Sequence, residues 1–270
     1  MQTHPTRYPT DLTDEEWNQI NSLVPAPKSG KLKRGRPVEH ERRAVVNAVF
    51  YVVRSGCAWR LLPSDFPPWQ TVYGYFRTWS QDWTWTFIHD TVRDWVRKTE
   101  GRAVAPTAAI IDSQSVKTAE QPGERGYDAG KKVKGRKRHI AVDALGLMLG
   151  ILITSAAVQD RAAAKTLIAN LLSVFKRLQL IWADGGYLGS LVQWVQALRP
   201  FGKLRLEIVQ RQRGQGFKVL PKRWIVARTF GWFYKSRRLC RDYEVRLDHS
   251  EAMLRICMIR IMVKRLANVC

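Results

Sequence analysis

Leu180-Ile181-Trp182-Ala183-Asp184-Gly185-Gly186-Tyr187 is an apolar run that stops on a carboxylate and two glycines. A second run, Ala108-Ala109-Ile110-Ile111, stops on Asp112 in the same way. Short apolar runs bounded by turn-forming residues read as buried strands. Between these two, His139 to Val142 and Met148 to Thr154 flank the turn Asp143-Ala144-Leu145-Gly146, a hairpin signal. Asp160 then caps a helix that begins Arg161-Ala162-Ala163-Ala164-Lys165 and keeps its apolar spacing through Leu172 and Phe175, ahead of a strand at Leu178 to Trp182. Strand, hairpin, helix, strand is the order of a mixed α/β sheet. Leu204 to Val209 adds a strand, Pro221 to Leu239 a long helix, and Glu251 to Ala267 a C-terminal amphipathic segment.

Upstream of residue 105 the texture differs. Thr13-Asp14-Glu15-Glu16 has the spacing of a reciprocal capping box and opens a helix toward Val24. Residues 28 to 37 carry five positive charges among glycines and prolines and read as a basic arm. Ala44, Val45, Ala48, Val49, Val52 and Val53 recur at helical intervals, with Gly56 at the stop. A proline-rich connector from Leu61 to Trp69 leads into helices at Thr71 to Trp79 and Trp85 to Val96, where Trp79, Trp83 and Trp85 are expected in the core. The expected domains are therefore 1–104, all-helical and helix-turn-helix-like, and 105–270, α/β.

Lys and Arg total 45 against 23 for Asp and Glu, a formal charge of +22. Such a charge attracts phosphate by counterion release while repelling itself in the folded state, which makes nucleic acid the leading partner. No apolar run has the length of a membrane span and the first 20 residues lack a signal-peptide layout, so a cytoplasmic protein is expected. Cys57, Cys240, Cys257 and Cys270 are far apart and form no zinc-ligand spacing; they read as reduced thiols.

Asp112 and Asp184 carry the chemistry. Each alone reads equally well as a turn cap. Two carboxylates at the ends of neighbouring strands suit hard divalent ions, Mg2+ or Mn2+, and a pair of such ions can activate a nucleophile and stabilise a leaving oxygen in phosphodiester cleavage.

The chain resembles the DDE transposases of bacterial insertion sequences, in the insertion sequence five family. The resemblance rests on Tyr8-Pro9-Thr10-Asp11-Leu12-Thr13-Asp14-Glu15-Glu16-Trp17, on Arg54-Ser55-Gly56-Cys57-Ala58-Trp59-Arg60-Leu61-Leu62-Pro63 and on Phe66-Pro67-Pro68-Trp69. It continues in Ile111-Asp112-Ser113-Gln114-Ser115-Val116-Lys117, Gly135-Arg136-Lys137-Arg138-His139-Ile140-Ala141-Val142-Asp143, Ala183-Asp184-Gly185-Gly186-Tyr187 and Arg223-Trp224-Ile225-Val226-Ala227-Arg228-Thr229-Phe230-Gly231-Trp232. It implies a ribonuclease-H-like catalytic domain, two metal ions in the intact enzyme, Asp112 and Asp184 as the first two acidic ligands, and action on the terminal inverted repeats and target DNA as a homodimer or higher assembly on the bacterial nucleoid. The third acidic position is filled here by Ala227, which implies impaired catalysis, whether by design or by natural decay. Helical spacing sets Arg223, Ala227, Gly231 and Tyr234 on one face and Ile225, Val226, Thr229, Trp232 and Phe233 on the other. The superfamily's Tyr and Lys positions around this motif hold Leu220 and Tyr234, with Lys235 adjacent to the latter. Glu207, inside an apparent strand, and Glu244, beyond the long helix, are the nearby substitutes for the missing acid.

The DNA contacts expected are Arg34 and Arg36 in a minor groove, Thr71, Tyr73, Gly74 and Arg77 near a major groove, and Lys131, Lys132, Lys134, Arg136, Lys137 and Arg138 on phosphates of the cleaved strand, with Arg223 and Lys235 as further DNA contacts. His139 reads as a structural hydrogen-bonding residue. Two other readings use the same features: a transposase-derived DNA-binding regulator without catalysis, favoured by Ala227, and a ribonuclease-H-like nuclease for RNA or junctions, disfavoured by the separate helical domain.

Overall fold

In a computed structural model of the chain, which describes residues 6–26, 40–120, 123–198, 204–209 and 222–268, Thr13 caps the first helix as its spacing requires. Its hydroxyl accepts from the Glu16 amide at 3.2 Å while the Glu16 carboxylate accepts from the Thr13 amide at 3.0 Å, at the start of α1, Asp14–Ile20. Helix α2, Arg42–Ser55, ends on Gly56 at φ 77, where a Cβ would lie 2.9 Å from that of Arg237. Backbone conformation and space both demand glycine there. Helices α3, Trp69–Gln81, and α4, Thr84–Thr99, complete the helical series; Val72, Phe76 and Trp79 of the first and Trp85, Ile88 and Val92 of the second are buried. Trp79 and Trp85 pack edge to face at 5.3 Å. Trp83, expected in the core with them, is instead 68 % exposed, because it occupies the turn between α3 and α4 at φ 66 and its side chain leaves the helical stripe.

Two compact units divide the chain: Met1–Arg102 with Lys235–Cys240 and Ala252–Cys270, and Ala103–Tyr234 with Arg241–Glu251. The break after Arg102 lies near the one expected at residue 104, but the return of the C-terminal residues to the first unit is a difference from the 105–270 domain. Its cause is the composition of α8, Leu247–Ala267. From Ala252 onward this helix buries Met253, Leu254, Ile256, Cys257, Met258 and Ile259, more than one face of a helix, so it is an interior helix rather than the amphipathic one expected. Arg260 donates to the Glu16 carboxylate at 2.7 Å and to the Asp11 carbonyl at 3.3 Å, which anchors this part of α8 to the capping box.

The second unit holds strands β1, Ala108–Lys117; β2, Gly126–Asp128; β3, Val133–Val142; β4, Met148–Ser155; β5, Leu180–Asp184; and β6, Arg205–Val209. Its helices are α5, Asp160–Val174; α6, Ser190–Leu198; and α7, Arg223–Tyr234. The sheet runs β4-β3-β1-β5-β6, with the short β2 also on β3. The β1–β3 and β3–β4 pairs are antiparallel, and the β1–β5 and β5–β6 pairs parallel. This is the ribonuclease-H-like arrangement. Ala109, Ile111, Ile181 and Ala183 pack with Leu167, Ile168 and Leu171 of α5 and Leu191 and Val195 of α6, while α7 packs against β1, β3 and β5.

Several boundaries differ from the sequence reading. β1 continues five residues past Asp112, β3 starts six residues before His139, Gln159 rather than Asp160 is the N-cap of α5, the strand expected over Leu178 to Trp182 runs to Asp184, and the long helix expected over Pro221 to Leu239 ends at Tyr234. The first two have one cause: the β1–β3 ladder extends through polar residues to Lys117 opposite Gly135, where no apolar run marks a strand.

Gly56→Ala is expected to destabilise the protein by roughly 1–3 kcal/mol, since it combines left-handed strain with the contact to Arg237. Chemical denaturation followed by tryptophan fluorescence measures this, and an unchanged midpoint would contradict it.

Candidate active site

Ala108, Ala109 and Ile110 of β1 face Leu180, Ile181 and Trp182 of the parallel β5. Carrying that register forward sets Asp112 opposite Asp184. Side chains alternate across a sheet, and Ala109, Ile111, Ile181 and Ala183 fill the core with α5, so both carboxylates belong to the opposite face, the one covered by α7. Asp112 is not at a strand end: it still pairs with Ile140 of β3. It lies where β5 parts from β1, because β5 stops at Asp184 and the chain enters a single 3-10 turn, Gly185–Tyr187. The Asp184 carboxylate caps that turn by accepting the Gly186 amide at 2.9 Å.

Two cations attend the pair. Arg223, the first residue of α7, donates to Asp184 at 3.2 Å. Lys131 Nζ donates to the Ser113 carbonyl at 3.2 Å and hydroxyl at 3.3 Å, next to Asp112. Burial first, and then the negative charge of Asp184, push Asp112 up to about 6, against the Ser113 amide and the positive charges of Arg223 and Lys131. Burial likewise holds the Tyr187 hydroxyl well above its usual range, reinforced by Asp112 and opposed by a hydrogen bond with Ser113.

Ala227 follows Arg223 by one turn on the same face of α7 and is exposed, as are Gly231 and Tyr234. Ile225, Val226, Thr229 and Phe233 are buried, joined by Phe230 where Trp232 had been expected; Trp232 is half-buried with the Arg228 guanidinium 4.9 Å from its ring centre. The two aspartates offer the hard oxygen donors that a divalent ion takes. A methyl group at 227 adds no donor, and among the described residues no group of three or more His, Cys, Asp or Glu side chains could hold a metal. Neither substitute acid joins the pair. Glu207 accepts from the Trp182 indole at 3.0 Å, and Glu244 is buried where its carbonyl receives Arg136 at 2.6 Å.

The basic segment expected on phosphates divides in two. Lys131, Lys132 and Lys134 are exposed, but Arg136, Lys137 and Arg138 are only 1, 6 and 2 % exposed, which corrects their assignment to DNA. β3 is a central strand of the sheet, so side chains of both parities are inside. Arg136 donates to the carbonyls of Glu124, Glu244 and Val245 and to the Ser250 hydroxyl, and pairs with Asp242 at 3.3 Å. Lys137 sits between Asp128 at 3.4 Å and Asp160 at 3.2 Å and donates to the Val158 carbonyl. Burial pushes Asp128 up, but the Ser115 hydroxyl, the Lys131 amide and Lys137 outweigh it and hold Asp128 at about 2. Arg138 donates to Gln114 at 3.3 Å and to the Arg241 carbonyl at 3.4 Å. His139 contacts the Thr154 hydroxyl at 3.0 Å, and burial lowers it to about 4, so it is neutral.

Of the other expected DNA contacts, Arg34 and Arg36 lie outside the described residues, as does Leu220. Thr71 is half-buried and Arg77 exposed. Tyr73 is turned into an aromatic cluster, 5.4 Å from Trp59 and 6.2 Å from Phe76 between ring centres. Lys235 is exposed in the first unit, where its carbonyl receives Arg54. Cys57, Cys240 and Cys257 are free thiols, and among the described residues no helix is long and apolar enough to cross a membrane.

A ribonuclease-H-like sheet can host more than one activity, so the acidic pair where β1 and β5 part, rather than the fold alone, bears on the chemistry. Residues 105–262 match the family described as "Transposase DDE domain", and residues 12–89 the family described as "Putative transposase of IS4/5 family". The chain belongs to the DDE transposases of bacterial insertion sequences, of the IS4/5 type. It is similar to the "Putative transposase for insertion sequence element IS402" of Burkholderia cepacia, 31 % identical over 162 residues, which cover 56 % of this chain and 72 % of that protein. It is also similar to the "Insertion element IS402 uncharacterized 16.2 kDa protein" of Burkholderia cepacia, 26 % identical over 134 residues, 49 % of this chain and 84 % of that protein. A chain in the crystal structure of the Mos1 strand transfer complex matches 72 % of this chain at 11 % identity and a TM-score of 0.23; the match spans 65 % of that chain's length.

The raised Asp112 has a stability consequence. Its folded value, about 6, lies above the ordinary carboxylate value of 3.8, so its favourable contribution is complete at low pH and is lost as pH rises through about 6. In metal-free buffer Asp112→Asn is expected to be more stable than the parent at pH 8, by up to about 3 kcal/mol, with the gap closing toward pH 4. Urea denaturation at both pH values measures it, and a gap independent of pH would contradict the assignment.

Proposed function

We propose that this chain is the transposase of an insertion sequence: it binds the terminal inverted repeats through its N-terminal helical part, assembles on them as a dimer or larger complex, and cleaves and rejoins DNA strands in the bacterial cytoplasm. The observation that carries the reading is the parallel pairing of β1 with β5 up to Ile110 and Trp182, two residues short of Asp112 and Asp184, with Arg223 donating to Asp184, in a DDE transposase domain.

In this reading Asp112 and Asp184 hold Mg2+ or Mn2+. When bound, such ions activate the attacking oxygen and stabilise the leaving oxygen of the phosphodiester. The chain's own groups do the rest. Asp112, raised to about 6, is largely ionised at neutral pH and can bind a cation. Arg223, already beside Asp184, can hold a non-bridging phosphate oxygen. Lys131, whose Nζ reaches Ser113 beside Asp112, and Lys132 and Lys134 around the start of β3 offer exposed positive charge, which can fix the strand without reading its sequence. Ala227 leaves the metal site without its third carboxylate, and this copy is therefore catalytically impaired.

Ala227 also favours a second reading, a transposase-derived protein that binds DNA and does not cut it. Ala227→Glu separates the two. Magnesium-dependent cleavage of an end-containing duplex, compared at matched DNA occupancy, is expected to rise by roughly 10³ or more over the parent, while binding changes little. Equal cleavage by both forms would place the third ligand elsewhere, and cleavage by neither would support the binding-only reading.

A further inference from the structure

Helix α3 has one face that packs against nothing among the described residues. Val72, Phe76 and Trp79 bury the opposite face, and Tyr73 joins Trp59 and Phe76 at its edge. What is left outward is the exposed Gln70, Arg77, Thr78 and Gln81 with the half-buried Gly74 among them, spaced i, i+4, i+7, i+8 and i+11, an arc of about 100° on a helix. Among the described residues the side chains of Gln70, Arg77, Thr78 and Gln81 make no hydrogen bond or ion pair. The helix has no acidic residue along its length. Its C-cap, Asp82, turns its carboxylate to the Thr84 amide at 3.1 Å and hydroxyl at 2.6 Å. At its other end the exposed Arg60 guanidinium lies 5.3 Å from the ring centre of Trp69, which fixes a positive charge beside the first residue of α3.

Gly74 is the second, independent observation. Glycine within a helix is unfavourable, and neither conformation nor packing asks for it here: its φ is not left-handed, and a Cβ built on it meets nothing within 4 Å. A glycine that the folded chain does not need, centred on an outward polar face, suits close approach of something outside the chain. That face carries no apolar side chain, unlike the centre of a protein interface. It carries the side chains that read base edges: glutamine is geometrically matched to adenine and arginine to guanine in the major groove.

We propose that the outward face of α3 enters the DNA major groove and determines end sequence, with Gln70, Arg77 and Gln81 reading base edges and Gly74 giving the groove floor room to approach. This rests on the reading of the chain as an end-binding transposase and replaces Thr71 and Tyr73 as the readers. Arg60 contributes a phosphate contact that positions the helix.

The test is selection from a library of random duplexes by the full chain, with binding to the selected and random duplexes then measured for Arg77→Ala, Gln70→Ala with Gln81→Ala, and Gly74→Leu. The parent is expected to enrich one motif. Arg77→Ala and the double glutamine variant should each lose about tenfold to a hundredfold preference at particular positions of that motif, with binding to random duplex changed less than about threefold. Gly74→Leu should fold at least as stably as the parent by thermal melting and yet lose tenfold or more in binding to the selected duplex. If the parent enriches a motif that every variant reads unchanged, or if Gly74→Leu is destabilised with its motif preference intact, α3 is not the reader, while end binding itself stands. If the parent binds no duplex at all, the transposase reading fails and this inference fails with it.

Discussion

The parallel pairing of β1 with β5 is the constraint on which the site depends. Three residue pairs, from Ala108 opposite Leu180 to Ile110 opposite Trp182, carry it, and beyond them β5 ends and turns away at Asp184. Asp112 is then left on a strand still held by β3 on its other edge, which makes it rigid, half-buried and beside a second carboxylate. Burial, and then the neighbouring Asp184, raise Asp112 to about 6, and the Ser113 amide, Arg223 and Lys131 offset only part of it. The opposite face of the same strands supplies the packing with α5 and α6 that maintains the register. The packed core and the proposed metal site thus lie on opposite faces of one sheet.

The distribution of positive charge follows a similar division. A formal charge of +22 suggests a surface covered in phosphate ligands. Yet Arg136 supports the loop carbonyls of Glu124, Glu244 and Val245, and Lys137 ties Asp128 to Asp160. Breaking either buried arrangement leaves uncompensated charge in the interior, so these groups hold the catalytic sheet in shape rather than touch a ligand. Lys131, Lys132 and Lys134 and the outward face of α3 remain exposed and are the groups proposed to meet DNA, the former suited to backbone contacts and the latter to base edges.

Where a local rule and the tertiary environment agree, the amino-acid sequence was readable. Thr13 with Glu16, Gly56 as a helix stop and the apolar runs ending near Asp112 and Asp184 each depend on neighbours a few residues away. The fold class followed from the order of those elements. Reading broke down where the environment overrode the local signal. Ser113 to Lys117 and Gly135 to His139 form a mostly polar ladder that has no apolar signature, so the local pattern ends β1 and starts β3 short and puts the buried Arg136, Lys137 and Arg138 at the surface. The apolar circumference of α8 is visible in its composition, but the unit it joins is not, since that depends on contacts some 240 residues apart such as Arg260 with Glu16. Trp83 departs from the core expected of it because a left-handed turn, rather than hydrophobicity, sets the direction of its side chain.

The most direct measurement of the central claim is Mn2+ binding to the intact chain, followed by the electron paramagnetic resonance signal of the free ion, for the parent, Asp112→Asn and Asp184→Asn. If the two aspartates form one site, each substitution alone should remove the same bound ion and weaken affinity about tenfold or more, with binding in the parent falling as pH drops below about 6. Parent-like Mn2+ affinity in either variant would contradict a shared site and with it the account of how β1 and β5 make this chain a transposase.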